Sequence, residues 1–322
     1  MKITILDDYQ NAIETLQCYG ILKGQNVEIL HETEKDPCRL ASHIADTEIL
    51  ILTRERTEIT DGLLSKLPNL KLISQTGKIS NHLNLNACTR HHVAVAEGVG
   101  SPIAPAELAW ALLMNTVRQI PQAIEGMKSG NWQINIGTTI YGKTIGIWGY
   151  GKIGQKIAQY AKVFGAKIIV WGSENSRKKA VEDGYEQSET KEHFFKNADI
   201  ITLHLRLTDK THGIVNKTDL LSMKENSVLI NTARAELIEK GGLQNVLKSG
   251  KNIFIGVDVY ENEPIYDKNF ELLKMKNVVC TPHLGYVEKN GYELYFGKAF
   301  ENVINFINGN PSNIANPEAL NK

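Results

Sequence analysis

The sequence predicts an α/β fold made of two doubly wound parallel-sheet domains. Two observations carry that expectation. Strand-like and helix-like stretches alternate almost without interruption, and the strand-like runs are short and rich in Ile, Val and Leu, the mark of strands covered on both faces. A third is length, since 322 residues are long for one core and comfortable for two.

In chain order, the first strands are KITIL, NVEIL, EILIL, LKLIS and VAVA, and each of the first four precedes a polar or amphipathic stretch of helical length. The second series is TIGIW, KIIVW, DIITLHL, SVLIN, IFIGVDV and NVVCT. Five strands and then six imply two units. The join is SPIAPAELAWALLMNTVRQIPQ, whose apolar residues cover most of the helix circumference between Pro105 and Ile120. Such a helix is expected to be buried against another domain or another subunit. Further on, GYELYFGKAFENVINFINGNP sets Leu294, Phe296, Ala299, Phe300, Val303, Ile304 and Ile307 on one helical face, which is expected to cross back and pack on the first domain. The expected division is therefore 1–101 plus 286–322 as a discontinuous domain, and 102–285 as the other.

Composition excludes several classes. Lys and Arg number 36 against 36 Asp and Glu, so no nucleic-acid footprint or membrane-surface bias shows at the level of the whole chain. Cys18, Cys38, Cys88 and Cys280 are scattered without C-x-x-C spacing, and read as buried thiols of a reducing compartment rather than a disulfide framework or a metal site. His91, His92 and His204 share no ligand spacing, so no metal is expected. The opening MKITILDDYQ runs straight into a strand pattern, and no apolar run is long enough to span a bilayer; the expectation is a soluble, cytoplasmic protein.

The chemistry begins at TIGIWGYGKIGQKIAQYAKVFGAKIIVWG. It carries G-x-G-x-x-G at Gly149, Gly151 and Gly154, a weak pattern alone and a strong one in this setting. An apolar strand leads in, a helix with Ile153, Ile157, Ala161 and Phe164 on one face leads out, and Gly165 ends it before the next strand. A tight turn at Gly149, no side chain at Gly151 where a pyrophosphate approaches the amides, and close helix–strand packing at Gly154 define a Rossmann dinucleotide unit. The following strand should end on an acid that grips the adenosine ribose. It ends instead on Gly172, with Ser173, Glu174, Ser176, Arg177, Lys178 and Lys179 behind it. A hydroxyl at Ser173 and positive charge at Arg177 and Lys178 suit the 2′-phosphate of NADP. Two other readings stand beside this one. Glu174 reaches the ribose and keeps NAD, or Ser173 or Ser176 only caps the next helix, with the basic residues on its solvated face.

Three later segments each follow a strand: NTARAE with Arg234, VDVYENEP with Asp258 and Glu263, and TPHLG with His283. Ligands of open parallel sheets collect outside the carboxyl ends of the strands, where these residues lie. Singly, each has a bland structural reading; together and in this order they favour chemistry. The four segments together resemble the D-isomer-specific 2-hydroxyacid dehydrogenases, over essentially the whole chain. The resemblance implies a flavodoxin-like substrate domain beside the Rossmann domain, and a hydride passed between a nicotinamide cofactor, NADP or NAD, and a small 2-oxo or D-2-hydroxy acid of the glyoxylate, hydroxypyruvate or 3-phosphoglycerate type. It implies that Arg234 holds the substrate carboxylate, that His283 is the acid/base, and that Glu263 pairs with it. Asp258 is implied at the nicotinamide end, Lys152 and Ile153 along the pyrophosphate, and Thr232, Ala233 and Gly285 close by.

The sequence departs from the family in the glycine-rich loop whose amides bind substrate. It reads TGKISNHLN here, keeping Gly77, adding Lys78 and placing Ile79 where a second glycine is usual. Lys78 either attracts a second anionic group or points to solvent. Arg206 replaces a usual proline, and Ala235 a usual glycine after the arginine. No C-terminal regulatory domain of the serine-sensing kind is expected, and the buried join helix suggests a homodimer. The competing readings are a dinucleotide-sensing, corepressor-like regulator without turnover, and a dehydrogenase of amino acids.

Overall fold

Five short parallel strands open the chain: β1 (Lys2–Ile5), β2 (Asn26–Ile29), β3 (Ile49–Leu52), β4 (Leu72–Gln75) and β5 (Ala94–Ala96). They lie in the order β2-β1-β3-β4-β5, with Ile3 opposite Val27 and Ile49, and Ile73 opposite Leu50 and Val95. β3, ILIL, is buried at every residue, as an uninterrupted apolar run requires, and β4, LISQ, is buried throughout although Ser74 and Gln75 are polar. The helices Pro37–His43, Asp61–Leu64 and Leu85–Arg90 each start on a side-chain cap, from Asp36, Thr60 and Asn84. After β1 the structure corrects the sequence reading: no α-helix follows, only the 3₁₀ turns Ile13–Thr15 and Gln17–Leu22. The cause is local. The Asp8 carboxylate takes the amides of Ala12 and Ile13, and Leu16 is extended between the two turns.

The computed structural model describes residues 1–321, and these divide into two units, 1–101 with 288–321, and 102–287. In the first unit the helix Lys289–Ile307 buries Tyr292, Tyr295, Phe296, Ala299, Phe300 and Val303, packing on Gln17–Leu22 and on β4. The Ser74 hydroxyl donates to the Ala299 carbonyl at 2.9 Å and locks the helix to the sheet. Leu294 is 45% exposed and does not belong to that face, because Tyr292 and Tyr295 flank it on the buried side.

The second unit holds seven parallel strands: β6 (Thr144–Trp148), β7 (Lys167–Trp171), β8 (Glu186–Gln187), β9 (Ile200–Leu203), β10 (Val228–Asn231), β11 (Phe254–Val257) and β12 (Val278–Cys280). Their order is β12-β11-β10-β9-β6-β7-β8, so the direction of winding reverses between β6 and β9. Six of these strands are expected from sequence; β8 is the addition, two exposed polar residues that carry no apolar signal. Residues alternate between two apolar clusters, with Ile168 and Val170 in one and Ile169 in the other, so both faces are covered.

The join helix spans Ile103–Arg118 and is buried along one face, through Ala106, Ala109, Leu112, Leu113, Thr116 and Val117, on β10, β11 and the helix Lys152–Val163 of its own unit. It is not buried all round, as Glu107 and Ala111 are exposed. In the helix Lys152–Val163 the buried face is Gly154, Ile157, Ala158 and Ala161. Phe164 lies past its end, partly exposed, with its ring 5.0 Å from Trp110. The thiol expectation also needs correction: all four cysteines are free, but only Cys88 is fully buried and Cys38 is exposed. Among the described residues no helix is long and apolar enough to cross a membrane.

Candidate active site

The glycine-rich turn sits at the reversal of winding in the second unit, directly after β6. Gly149 has φ +99°, and a Cβ there would lie 2.6 Å from the His204 carbonyl oxygen. A Cβ on Gly154 would lie 2.1 Å from the Gly149 carbonyl oxygen, so helix and turn meet at a distance only glycine allows. Gly151 differs. It is the N-cap of Lys152–Val163, no side chain caps that helix, and a Cβ at Gly151 would meet nothing within 4 Å. Nothing in the protein requires glycine there; an open space before uncapped amides, lined by Lys152 and Ile153, fits a pyrophosphate.

At the end of β7 the basic cluster divides. Ser173 is the N-cap of the helix Glu174–Glu182, its Oγ accepting from the Ser176 amide at 3.3 Å. Lys178 is paired with Glu174 at 2.7 Å, and both side chains are largely exposed. Arg177 turns the other way: its guanidinium lies 4.9 Å from the centre of the Trp171 ring, and its Nε is buried with no hydrogen-bond partner. Gly172, at φ +150°, keeps the space beside Ser176 free of a side chain.

His283 is held at the end of β12. Its φ is +53°, its amide donates to the Thr281 carbonyl, and its Nδ1 lies 2.6 Å from Glu263 Oε2. Glu263 Oε1 in turn accepts the Tyr260 amide at 2.8 Å, so both carboxylate oxygens are committed. The ring of Tyr286 stands edge-on to the imidazole at 5.4 Å. With Nδ1 occupied by Glu263, Nε2 is the nitrogen left to meet a ligand. Asp258 is buried beneath this loop and accepts the Thr281 hydroxyl, the Leu284 amide and the Gly285 amide, at 2.7, 2.7 and 2.9 Å. Burial raises its carboxyl above the ordinary value, against those three donors and the neighbouring His283. Its carboxylate therefore shapes the His283 loop directly. Arg234 follows β10, two strands away in the sheet order. The Asn231 side chain forms the turn that presents it, accepting from the Ala233 amide and donating to the Arg234 carbonyl, with Thr232 between them. Arg206 is exposed, and its carbonyl accepts from Thr211.

In the first unit, Gly77 follows β4 with φ +145°, and its carbonyl accepts the Gly98 amide. Glu97 clamps the loop from the side: it pairs with Lys78 at 2.7 Å and accepts the Ile79 amide at 3.1 Å. The Lys78 side chain remains 68% exposed in that pair, and the Ile79 amide is already used within the protein. Tyr260, Tyr286, Asn231 and Glu97 were not singled out from sequence. Only the Tyr260–Glu263 and His283–Tyr286 spacings of three residues offered a signal.

A glycine-rich turn at the reversal point of a doubly wound sheet, with an imidazole–carboxylate pair at a strand end of that sheet, defines a class of dinucleotide-binding α/β proteins. Residues 110–285 match the family model described as D-isomer specific 2-hydroxyacid dehydrogenase, NAD binding domain, and the chain belongs to that family. It is 33% identical over 312 residues to the glyoxylate reductase of Thermococcus litoralis, covering 91% of this chain and 93% of that protein. With the D-3-phosphoglycerate dehydrogenase of Methanocaldococcus jannaschii it shares 34% identity over 88% of its length, but spans only 53% of that relative. A solved structure of a phosphoglycerate oxidoreductase from Vibrio cholerae o395 superposes with a TM-score of 0.94 at 52% identity, over 96% of this chain and 99% of that one.

Proposed function

We propose that the protein reduces a small 2-oxo acid to the D-2-hydroxy acid, reversibly, with NADP preferred over NAD. The observation that carries this reading is the 2.6 Å contact between His283 Nδ1 and Glu263 Oε2 at the carboxyl end of β12. The nicotinamide cofactor, when bound, supplies or accepts the hydride. The protein residues do the rest. Arg234 binds the substrate carboxylate with a planar fork of donors. His283 gives the proton at Nε2 to the carbonyl oxygen in reduction and takes it back in oxidation, while Glu263 favours the imidazolium and fixes its orientation. The Gly77 loop offers backbone amides to the substrate. Gly151, Lys152 and Ile153 hold the pyrophosphate on a turn shaped by Gly149 and Gly154, with Thr232, Ala233, Asp258 and Gly285 toward the nicotinamide.

The preference for NADP rests on Arg177, whose guanidinium is held 4.9 Å from the centre of the Trp171 ring beside the end of β7, and on Glu174 being paired with Lys178. A homodimer is proposed on the run of exposed apolar side chains between Ile120 and Ile136, among them Ile124, Met127, Trp132 and Ile134. The sensor reading is disfavoured, since sensing a dinucleotide does not require an arginine and an imidazole–carboxylate pair. The test is reduction of glyoxylate and hydroxypyruvate with NADPH and with NADH. The reading expects turnover with at least one acid and a higher kcat/KM with NADPH; an inert chain that still binds dinucleotide would instead favour the sensor.

A further inference from the structure

We propose that Glu97 is a built-in competitor of the substrate, a carboxylate that fills the anion donors of the Gly77 loop and gives them up when a 2-oxo acid binds. This rests on the function proposed above, which assigns that loop to the substrate, and it names the residue that sets the loop's affinity. The donors are the Ile79 amide and the Lys78 ammonium. A backbone N–H and a cation converging on one carboxylate make an anion site. Here the protein's own carboxylate occupies it: Glu97 Oε1 accepts the Ile79 amide at 3.1 Å, and Oε2 lies 2.7 Å from Lys78 Nζ. Both oxygens are held as those of a substrate carboxylate would be.

The backbone fixes where Glu97 stands. It directly follows β5, its amide donates to the Asn313 carbonyl at 2.9 Å, and its carbonyl accepts from Asn302 Nδ2 at 3.1 Å. The next residue, Gly98, donates its amide to the Gly77 carbonyl at 2.8 Å. A Cβ on Gly98 would lie 2.5 Å from the Gln75 carbonyl oxygen, so the strand end meets the loop at a distance only glycine allows. The carboxylate is thus carried to the loop on a rigid support. It is an anion there: burial raises its carboxyl, but the Lys78 ammonium and the Ile79 amide together outweigh burial and hold it below the ordinary value. The contact is also exchangeable. Both side chains of the ion pair keep contact with water, and such pairs are weak. A substrate anion therefore replaces Glu97 on like terms, and its affinity is reduced by the share of molecules in which Glu97 holds the donors.

The test measures KM and kcat for glyoxylate and hydroxypyruvate in the wild type, in Glu97→Gln, and in Glu97→Gln combined with Lys78→Met. The glutamine keeps an acceptor for the Ile79 amide, and with it the shape of the loop, but releases the ammonium. For at least one acid KM should fall about 3- to 10-fold in Glu97→Gln, with the effect on KM rather than kcat. Adding Lys78→Met should cancel that gain, because the freed ammonium supplies it. An unchanged or raised KM for both acids in Glu97→Gln, or a gain that survives Lys78→Met, would overturn the proposal. Calorimetric titration of the cofactor-loaded protein with oxamate, an unreactive analogue of a 2-oxo acid, reads the same exchange without turnover. Tighter binding by Glu97→Gln supports the role, and equal or weaker binding overturns it. Failure of the wild type to reduce either acid would count against the function proposed above, while the oxamate affinities would still decide the role of Glu97.

Discussion

At the scale of single residues, the site is a set of side chains whose partners dictate their use. Glu263 has both oxygens committed, one to the His283 ring and one to the Tyr260 amide. His204 is the opposite case, a histidine kept neutral. It retains some exposed surface, yet protein encloses its ring, and burial pushes its pKa down from 6.5 to about 4. Between those values the unfolded chain binds more protons than the folded one. The stability from this group is therefore complete above 6.5 and drains as pH falls toward 4, by about 3 kcal/mol at most. Urea unfolding at pH 7 and pH 4 should show this loss in the wild type and not in His204→Gln; parallel profiles would mean the ring titrates normally.

Arg234, Glu263 and His283 were readable as candidates because each follows a strand in a recognisable segment. Glu97 was not. Its contact to Lys78 joins stretches some twenty residues apart, and no local pattern announces a carboxylate clamping a loop. The basic cluster after Gly172 was readable only as a group. Which cation faces inward depends on the helix that Ser173 starts, and that helix turns Arg177 to Trp171 and Lys178 to Glu174.

At the scale of elements, the turn between β6 and the helix Lys152–Val163 separates structural from ligand-binding glycines. Gly154→Ala places a methyl 2.1 Å from a backbone oxygen and should destabilise the fold by about 1–3 kcal/mol or more. Gly151→Ala meets open space, so its cost to stability should stay near 1 kcal/mol or below, while cofactor affinity falls at least about 10-fold. Thermal unfolding and a titration followed by Trp148 and Trp171 fluorescence check both; unchanged affinity in Gly151→Ala would remove the pyrophosphate from that turn. Eleven of the strands announce themselves as apolar runs. β8 does not, because two exposed polar residues at a sheet edge need only backbone pairing to Ile169 and Val170. The 3₁₀ turns after β1 were hidden for a related reason: an aspartate side chain, not periodicity, sets the backbone there.

At the scale of the whole molecule, the exposed apolar side chains from Ile120 to Ile136 are more than a single chain in water favours. Sedimentation equilibrium should give twice the 35.9 kDa chain mass, and Ile124→Asp should shift it toward monomer; a wild-type monomer would contradict the homodimer. The central claim, that His283 is the acid of a 2-oxo acid reductase, is tested most directly by one comparison. It sets kcat/KM for the most active 2-oxo acid in the wild type against His283→Ala, with cofactor dissociation constants measured alongside. The expected result is a loss of about 10²- to 10⁴-fold in turnover, with cofactor affinity within about 3-fold. Equal rates, or a loss matched by lost cofactor binding, would contradict it.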